Sequence, residues 1–195
     1  LDGICTDYEL DEIKPDNIKS LFTNQYICEF GIIDQFIAYW ETISEDEDEV
    51  LFSGGRGSGK SDCLIIDPLR YCENKNFRGL ILRETMPELR ELIGRAKDLY
   101  IQAYPGTKWR EMDKMFIFPR GAKMEVGYCD KADDVLRYQG QEYSWLGVDE
   151  ITQYPTDEIY VKLLASLRSP DPSLPIRKRA TTNPSGPGRV WVKER

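Results

Sequence analysis

Apolar and polar positions follow two periods along this 195-residue chain, and each change of period marks an element. Within Ile32 to Thr42, Ile33, Phe36, Ile37 and Trp40 recur at helical spacing. Val50 to Ser53 is a short apolar run closed by glycines, the pattern of a buried strand. Ser61 to Tyr71 predicts a helix that Pro68 kinks or ends, because proline lacks the amide hydrogen that a helix interior needs. A strand follows at Gly79 to Leu82, then a longer helix at Pro87 to Tyr100 with Leu89, Leu92, Ile93 and Ala96 on one face. Its leading proline costs no internal hydrogen bond. From Lys108 to Cys129 apolar and polar residues alternate around Pro119-Arg120-Gly121, which predicts a β-hairpin. Ala132 to Tyr138 reads as a short helix, and Trp145 to Val148 as an apolar strand closed by Asp149-Glu150. Pro155 to Leu167 reads as a helix with Thr156 as N-cap, and Arg179 to Thr182 as the last strand. Such repeated strand-helix alternation predicts an α/β domain, a mainly parallel sheet with helices on both faces and an inserted β-hairpin.

Composition narrows the chemistry. With 41% hydrophobic and 31% charged residues the chain has the balance of a globular domain, and no apolar run approaches the ~18 residues of a membrane-spanning helix. The acidic first residues lack the basic and apolar regions of a signal peptide, so a soluble, cytoplasmic chain with no membrane partner is expected. Five cysteines without a C-x-x-C pair suggest reduced, buried thiols rather than a disulfide framework or a zinc site. The absence of histidine removes Ser-His-Asp and Cys-His catalysis and leaves carboxylates, Lys, Arg, Ser and Thr. Net charge is −8, but unevenly spread: residues 1–50 carry 14 acidic and 2 basic groups, and residues 51–195 carry 20 acidic and 24 basic. The acidity, including the run Glu45 to Glu49, belongs to the N-terminal quarter. A nucleic-acid partner therefore stays open, with Arg177, Lys178 and Arg179 as candidate contacts.

The most specific motif is Gly54-Gly55-Arg56-Gly57-Ser58-Gly59-Lys60-Ser61, a full G-x-x-x-x-G-K-S between a predicted strand and a predicted helix. Glycines there let successive N–H groups face a polyphosphate, and the helix N-terminus adds positive partial charge. Lys60 would meet the β- and γ-phosphates of ATP, and the Ser61 hydroxyl would hold Mg²⁺. Asp149, at the end of an apolar strand, fits the metal-supporting role, and Glu150 fits the general base that polarises water. The elements between the two motifs fit the additional-strand (ASCE, RecA-like) class of P-loop NTPases. Two arginines are candidates for stabilising charge on the γ-phosphate: Arg56 inside the loop, and Arg137 before the Asp-Glu strand as a finger toward a neighbouring subunit. These motifs alone leave open another P-loop DNA-dependent ATPase, helicase-like or recombinase-like, and a nucleotide-dependent assembly switch.

Three blocks together, Ser53 to Ser61, Tyr138 to Thr152 and Ala180 to Lys193 (ATTNPSGPGRVWVK), resemble the ATPase domain of the large terminase subunit of tailed bacteriophages. The resemblance implies an ATP-driven motor that moves double-stranded DNA into a procapsid in the host cytoplasm. It also implies a homo-oligomeric ring that meets a portal protein and a small terminase subunit, although the isolated domain is expected to be monomeric. Thr181, Thr182 and Asn183 match the family's coupling motif. The adenine-reading glutamine would be Gln35, with Gln25 as the alternative. On this reading residues 1–30 form an acidic N-terminal segment and 31–195 the ATPase domain, with the family's C-terminal nuclease domain absent from this chain.

Overall fold

A computed structural model describes residues 47–169 and 171–195. Its strands are β1 (Glu49–Ser53), β2 (Arg78–Arg83), β3 (Lys108–Arg110), β4 (Met115–Ile117), β5 (Lys123–Tyr128), β6 (Trp145–Val148) and β7 (Arg177–Thr182). The helices are α1 (Lys60–Ile66), α2 (Met86–Ala103), α3 (Glu158–Leu164) and α4 (Arg189–Glu194), with 3-10 turns at Asp67–Tyr71, Ala132–Arg137 and Ile151–Gln153. The seven strands form one sheet in the order β1-β7-β6-β2-β5-β4-β3. Pairing is parallel from β1 through β5 and antiparallel for β5-β4 and β4-β3. Strand β7 thus lies between the strand that enters the glycine loop and the strand that ends in Asp149-Glu150. It is the additional strand.

Side-chain alternation along the strands fills two cores, one on each face. Ile81, Trp145, Met124 and Val126 join α1 and α2 on one face, whereas Leu80, Leu82, Leu146 and Val148 join Val135, Tyr160 and Leu163 on the other. Beneath α1 the buried Asp67 accepts from Trp145 Nε1 at 2.8 Å and pairs with Arg70 at 3.0 Å and Arg179 at 3.3 Å.

Several elements differ from the sequence pattern. Strand β1 is half-exposed, with Leu51 43% accessible, because among the described residues it pairs only with β7. The helix predicted through Pro68 stops at Ile66 and tightens into a 3-10 turn, as the missing proline N–H requires. The segment predicted as one hairpin is a three-strand meander: β3 and β4 pair first, and the turn with Gly121 at φ 102° then leads into β5, which is also a parallel partner of β2. The short helix predicted from Ala132 is of the 3-10 type over Ala132–Arg137, held by Asp134, which accepts from the amides of Asp130 and Lys131. Helix α3 is shorter than predicted. Asp157, not Thr156, stands at its N-cap, and its C-terminal continuation is drawn into a parallel bridge between Leu167 and Tyr143.

Candidate active site

The C-terminal ends of β1, β7, β6 and β2 place the glycine loop, Thr181 to Asn183, Asp149-Glu150 and Arg83 at one edge of the sheet, where open α/β folds bind ligands. Gly57 and Gly59 take φ of 75° and 72°, a left-handed conformation that only glycine adopts freely, and the loop curls into the first turn of α1. The loop is tied to β7 by the Gly54 N–H, which donates to the Thr182 carbonyl at 3.2 Å. Lys60 is buried beneath it and donates to Ser58 Oγ at 3.0 Å and to the Gly55 carbonyl. Burial lowers the Lys60 pKa, and the negative charges of Asp149 and Glu150 only partly offset this.

Asp149 ends β6 with its carboxylate closed to solvent and fully engaged. It accepts from Ser61 Oγ at 3.1 Å to both oxygens, from Thr181 Oγ1, and from Arg83 Nε at 2.6 Å. The next residue, Glu150, sits at φ 54°, ψ 48°, an uncommon position for a residue with a side chain. Its N–H donates to Thr181 Oγ1 at 3.0 Å, so one hydroxyl bridges the two acidic residues. The Glu150 carboxylate, about a quarter exposed, meets Asn183 Nδ2 at 3.4 Å and Gln153 Nε2 at 3.5 Å, with Arg83 Nη2 at 3.8 Å. A polar cavity of about 310 Å³ lies over these groups, lined by Arg56, Lys60, Ser61, Arg83, Glu150 and Asn183 among others. Ser61 and Asp149 present hard oxygen donors in contact with each other, the donor type that Mg²⁺ takes together with water and substrate phosphates. Among the described residues no three His, Cys, Asp or Glu side chains cluster to hold a metal without such help.

The structure brings together Lys60, Ser61, Asp149, Glu150, Thr181 and Asn183, with Arg56 exposed on the rim. Gly54 and Gly55 form the base of the loop, while Gly57, Ser58 and Gly59 line the cavity. Thr182 is not brought there. Strand alternation turns it to the opposite side, where its hydroxyl meets Thr152 Oγ1 at 2.7 Å. That side borders a second cavity of about 730 Å³ near Leu51, Val190 and Val192. Arg137 lies outside this polar cavity, paired with Asp134 at 2.6 Å and 4.9 Å over the Tyr128 ring. Gln35 and Gln25 fall outside the described residues, as does the boundary at residue 30. Two of the candidate DNA contacts are corrected: β7 is an interior strand, so Arg177 and Arg179 are buried and paired with Asp48 and Asp67, whereas Lys178 is partly exposed and pairs with Glu49.

Sequence reasoning missed Arg83, Asp62, Arg95 and Thr152. Arg83 directly follows the apolar run of β2, and a charge at the C-terminal end of a parallel strand was the available signal. Asp62, beside Ser61, is 2% exposed and ion-paired with Arg95 of α2, which also lines the cavity. Burial, aided by the nearby charges of Asp149 and Glu91, raises its carboxyl to about 6 against the opposing pull of Arg95.

Comparison with known proteins agrees with this geometry. A family model described as "Terminase large subunit, T4likevirus-type, N-terminal" matches residues 51–189. Among solved structures, the large terminase of a thermophilic bacteriophage aligns at TM-score 0.62 and 15% identity, covering 84% of this chain and 41% of that one. The complex of that terminase with ADP aligns at TM-score 0.55 and 16% identity, covering 78% and 37%. The bacteriophage Phi-29 genome packaging motor assembly aligns at 0.51 and 15%, covering 82% and 50%. At these identities the likeness concerns the fold, the RecA-like P-loop fold of terminase ATPase domains. The chain spans about two fifths of the thermophilic phage terminase. No curated protein sequence matches.

Proposed function

The chain belongs to the large terminase subunits of the T4-like-virus type, and from that premise we propose that it is the ATP-hydrolysing motor domain of a viral DNA-packaging machine. The observation that carries the proposal is the contact chain Ser61–Asp149–Thr181–Glu150, which links the helix after the glycine loop to a partly exposed carboxylate.

In this reading the loop amides and Lys60 hold the β- and γ-phosphates of ATP. Ser61 and Asp149 would hold Mg²⁺, which supplies charge neutralisation on the phosphate oxygens when bound. Glu150 takes a proton from water as its oxygen attacks the γ-phosphorus, and the bond to the β-phosphate oxygen breaks to give ADP and inorganic phosphate. Arg56 meets the γ-phosphate from the rim, and Arg137 serves a neighbouring subunit in a homo-oligomeric ring. Asn183, on the Glu150 carboxylate, and Thr181, across both acids, report hydrolysis to β7 and the segment beyond it. Work is done on double-stranded DNA at the procapsid in the host cytoplasm, with the portal protein and small terminase subunit as partners. Gln35 would read the adenine.

The test is MgATP turnover with and without double-stranded DNA, for wild type and Lys60→Ala. Hydrolysis that depends on Lys60 is expected. Equal rates in the two proteins would overturn the proposal.

A further inference from the structure

Arg83 has no part in the steps above, yet it is ion-paired with the acid assigned to support the metal. Its side chain is 12% exposed and divided three ways: Nε to Asp149 Oδ2 at 2.6 Å, Nη1 to the Glu88 carbonyl at 3.0 Å, and Nη2 toward Glu150 Oε1 at 3.8 Å. Among the described residues, the ion pairs of Asp149 and of Glu150 are both with Arg83. Lys60, the other nearby cation, hydrogen-bonds the glycine loop instead. A buried carboxylate without a compensating charge is costly, and Arg83 supplies a positive charge directly against Asp149. The Asp149 oxygen that Arg83 engages is also one of the two in contact with the Ser61 hydroxyl.

We infer that Arg83 is a positioning residue that competes with the divalent cation for Asp149, so that metal loading requires the guanidinium to swing away from β6. The anchor for that swing is the Glu88 carbonyl in the first turn of α2, a residue whose carboxylate accepts from the Thr85 hydroxyl at 2.9 Å. Metal occupancy is thereby linked to the β2–α2 junction. A fixed planar fork suits this role, whereas lysine would supply charge without the simultaneous hold on Glu88. The inference rests on the assignment of Asp149 as the metal-supporting acid.

The test measures ADP binding to the full chain by calorimetry across a Mg²⁺ titration, for wild type, Arg83→Gln and Arg83→Lys. Competition predicts that Arg83→Gln lowers the half-saturating Mg²⁺ concentration about tenfold, with Arg83→Lys between it and wild type. An unchanged or raised Mg²⁺ requirement in Arg83→Gln overturns the inference, and so does an unchanged requirement in Arg83→Lys if the glutamine variant fails to fold. Wild-type protein that binds no ADP at any Mg²⁺ concentration would instead overturn the proposed function.

Discussion

Replacing Thr181 by valine keeps the volume and β-branching of the side chain and removes only its hydroxyl. That hydroxyl donates to the Asp149 carboxylate and accepts from the Glu150 N–H at 3.0 Å. A hydrogen bond to a charged group is worth about 1.5–3 kcal/mol, and an unpaired backbone donor costs roughly 1–3 kcal/mol. Glu150 is only partly buried and water can replace some of the loss, so Thr181→Val should destabilise the domain by about 2–4 kcal/mol. Against a typical total of about 5–15 kcal/mol, this is measurable by urea unfolding as a lower midpoint at unchanged slope. With the bridge gone, the Glu150 backbone loses its tie to β7 and keeps only the bond from the Gln153 N–H to its carbonyl, so single-turnover ATP hydrolysis should fall on the order of 10–100-fold. Thr181→Ser should restore most of both properties. A Thr181→Val variant that unfolds within about 0.5 kcal/mol of wild type, a difference typical of uninvolved surface sites, or a serine variant as damaged as the valine one, would show that the hydroxyl does not bridge the two acids.

Asp62 makes stability depend on pH in an unusual direction. Its folded carboxyl titrates near about 6 where an unfolded one titrates near ~3.9, so the folded state binds the extra proton and stability declines as pH rises through that window. Asp62→Asn should therefore gain on wild type by roughly 2 kcal/mol between pH 4 and pH 7, as read from unfolding midpoints; a constant difference would contradict this. Arg179→Met removes a buried partner of Asp67 and should cost about 3 kcal/mol in thermal unfolding while leaving the salt dependence of any DNA binding unchanged. A Cβ at Gly188 would lie 2.0 Å from the Tyr154 carbonyl oxygen, so Gly188→Ala should cost about 1–3 kcal/mol. Gly94→Ala, in open space on α2, should instead stabilise by about 0.5–1 kcal/mol; the same denaturation series measures both.

Contacts close in sequence were legible before the structure. The glycine loop, the helix that follows it and the apolar strand ending in Asp149-Glu150 carry local signals, in turn residues, periodicity and length. What escaped was set by the order of strands. Placing β7 between β1 and β6 buries Arg177 and Arg179, whose run of basic residues reads as surface in one dimension. Side-chain alternation along β7 turns Thr181 to the acids and Thr182 away from them, a choice fixed by the register of β7 against β6. Arg83 and Arg95 act across 66 and 33 residues of sequence, and no local pattern announces such pairings. Strand β1 reads as buried because its residues are apolar, yet its exposure depends on what lies beside it rather than on its own composition.

The central claim is that Glu150, poised by Thr181 beside the glycine loop, activates the water that cleaves ATP. Single-turnover hydrolysis of MgATP by Glu150→Gln, measured with nucleotide affinity in the same preparation, tests it most directly. Nucleotide binding within about threefold of wild type, with hydrolysis reduced on the order of 10²–10⁴-fold, is the expected result. Hydrolysis at the wild-type rate in a variant that binds nucleotide normally would contradict it.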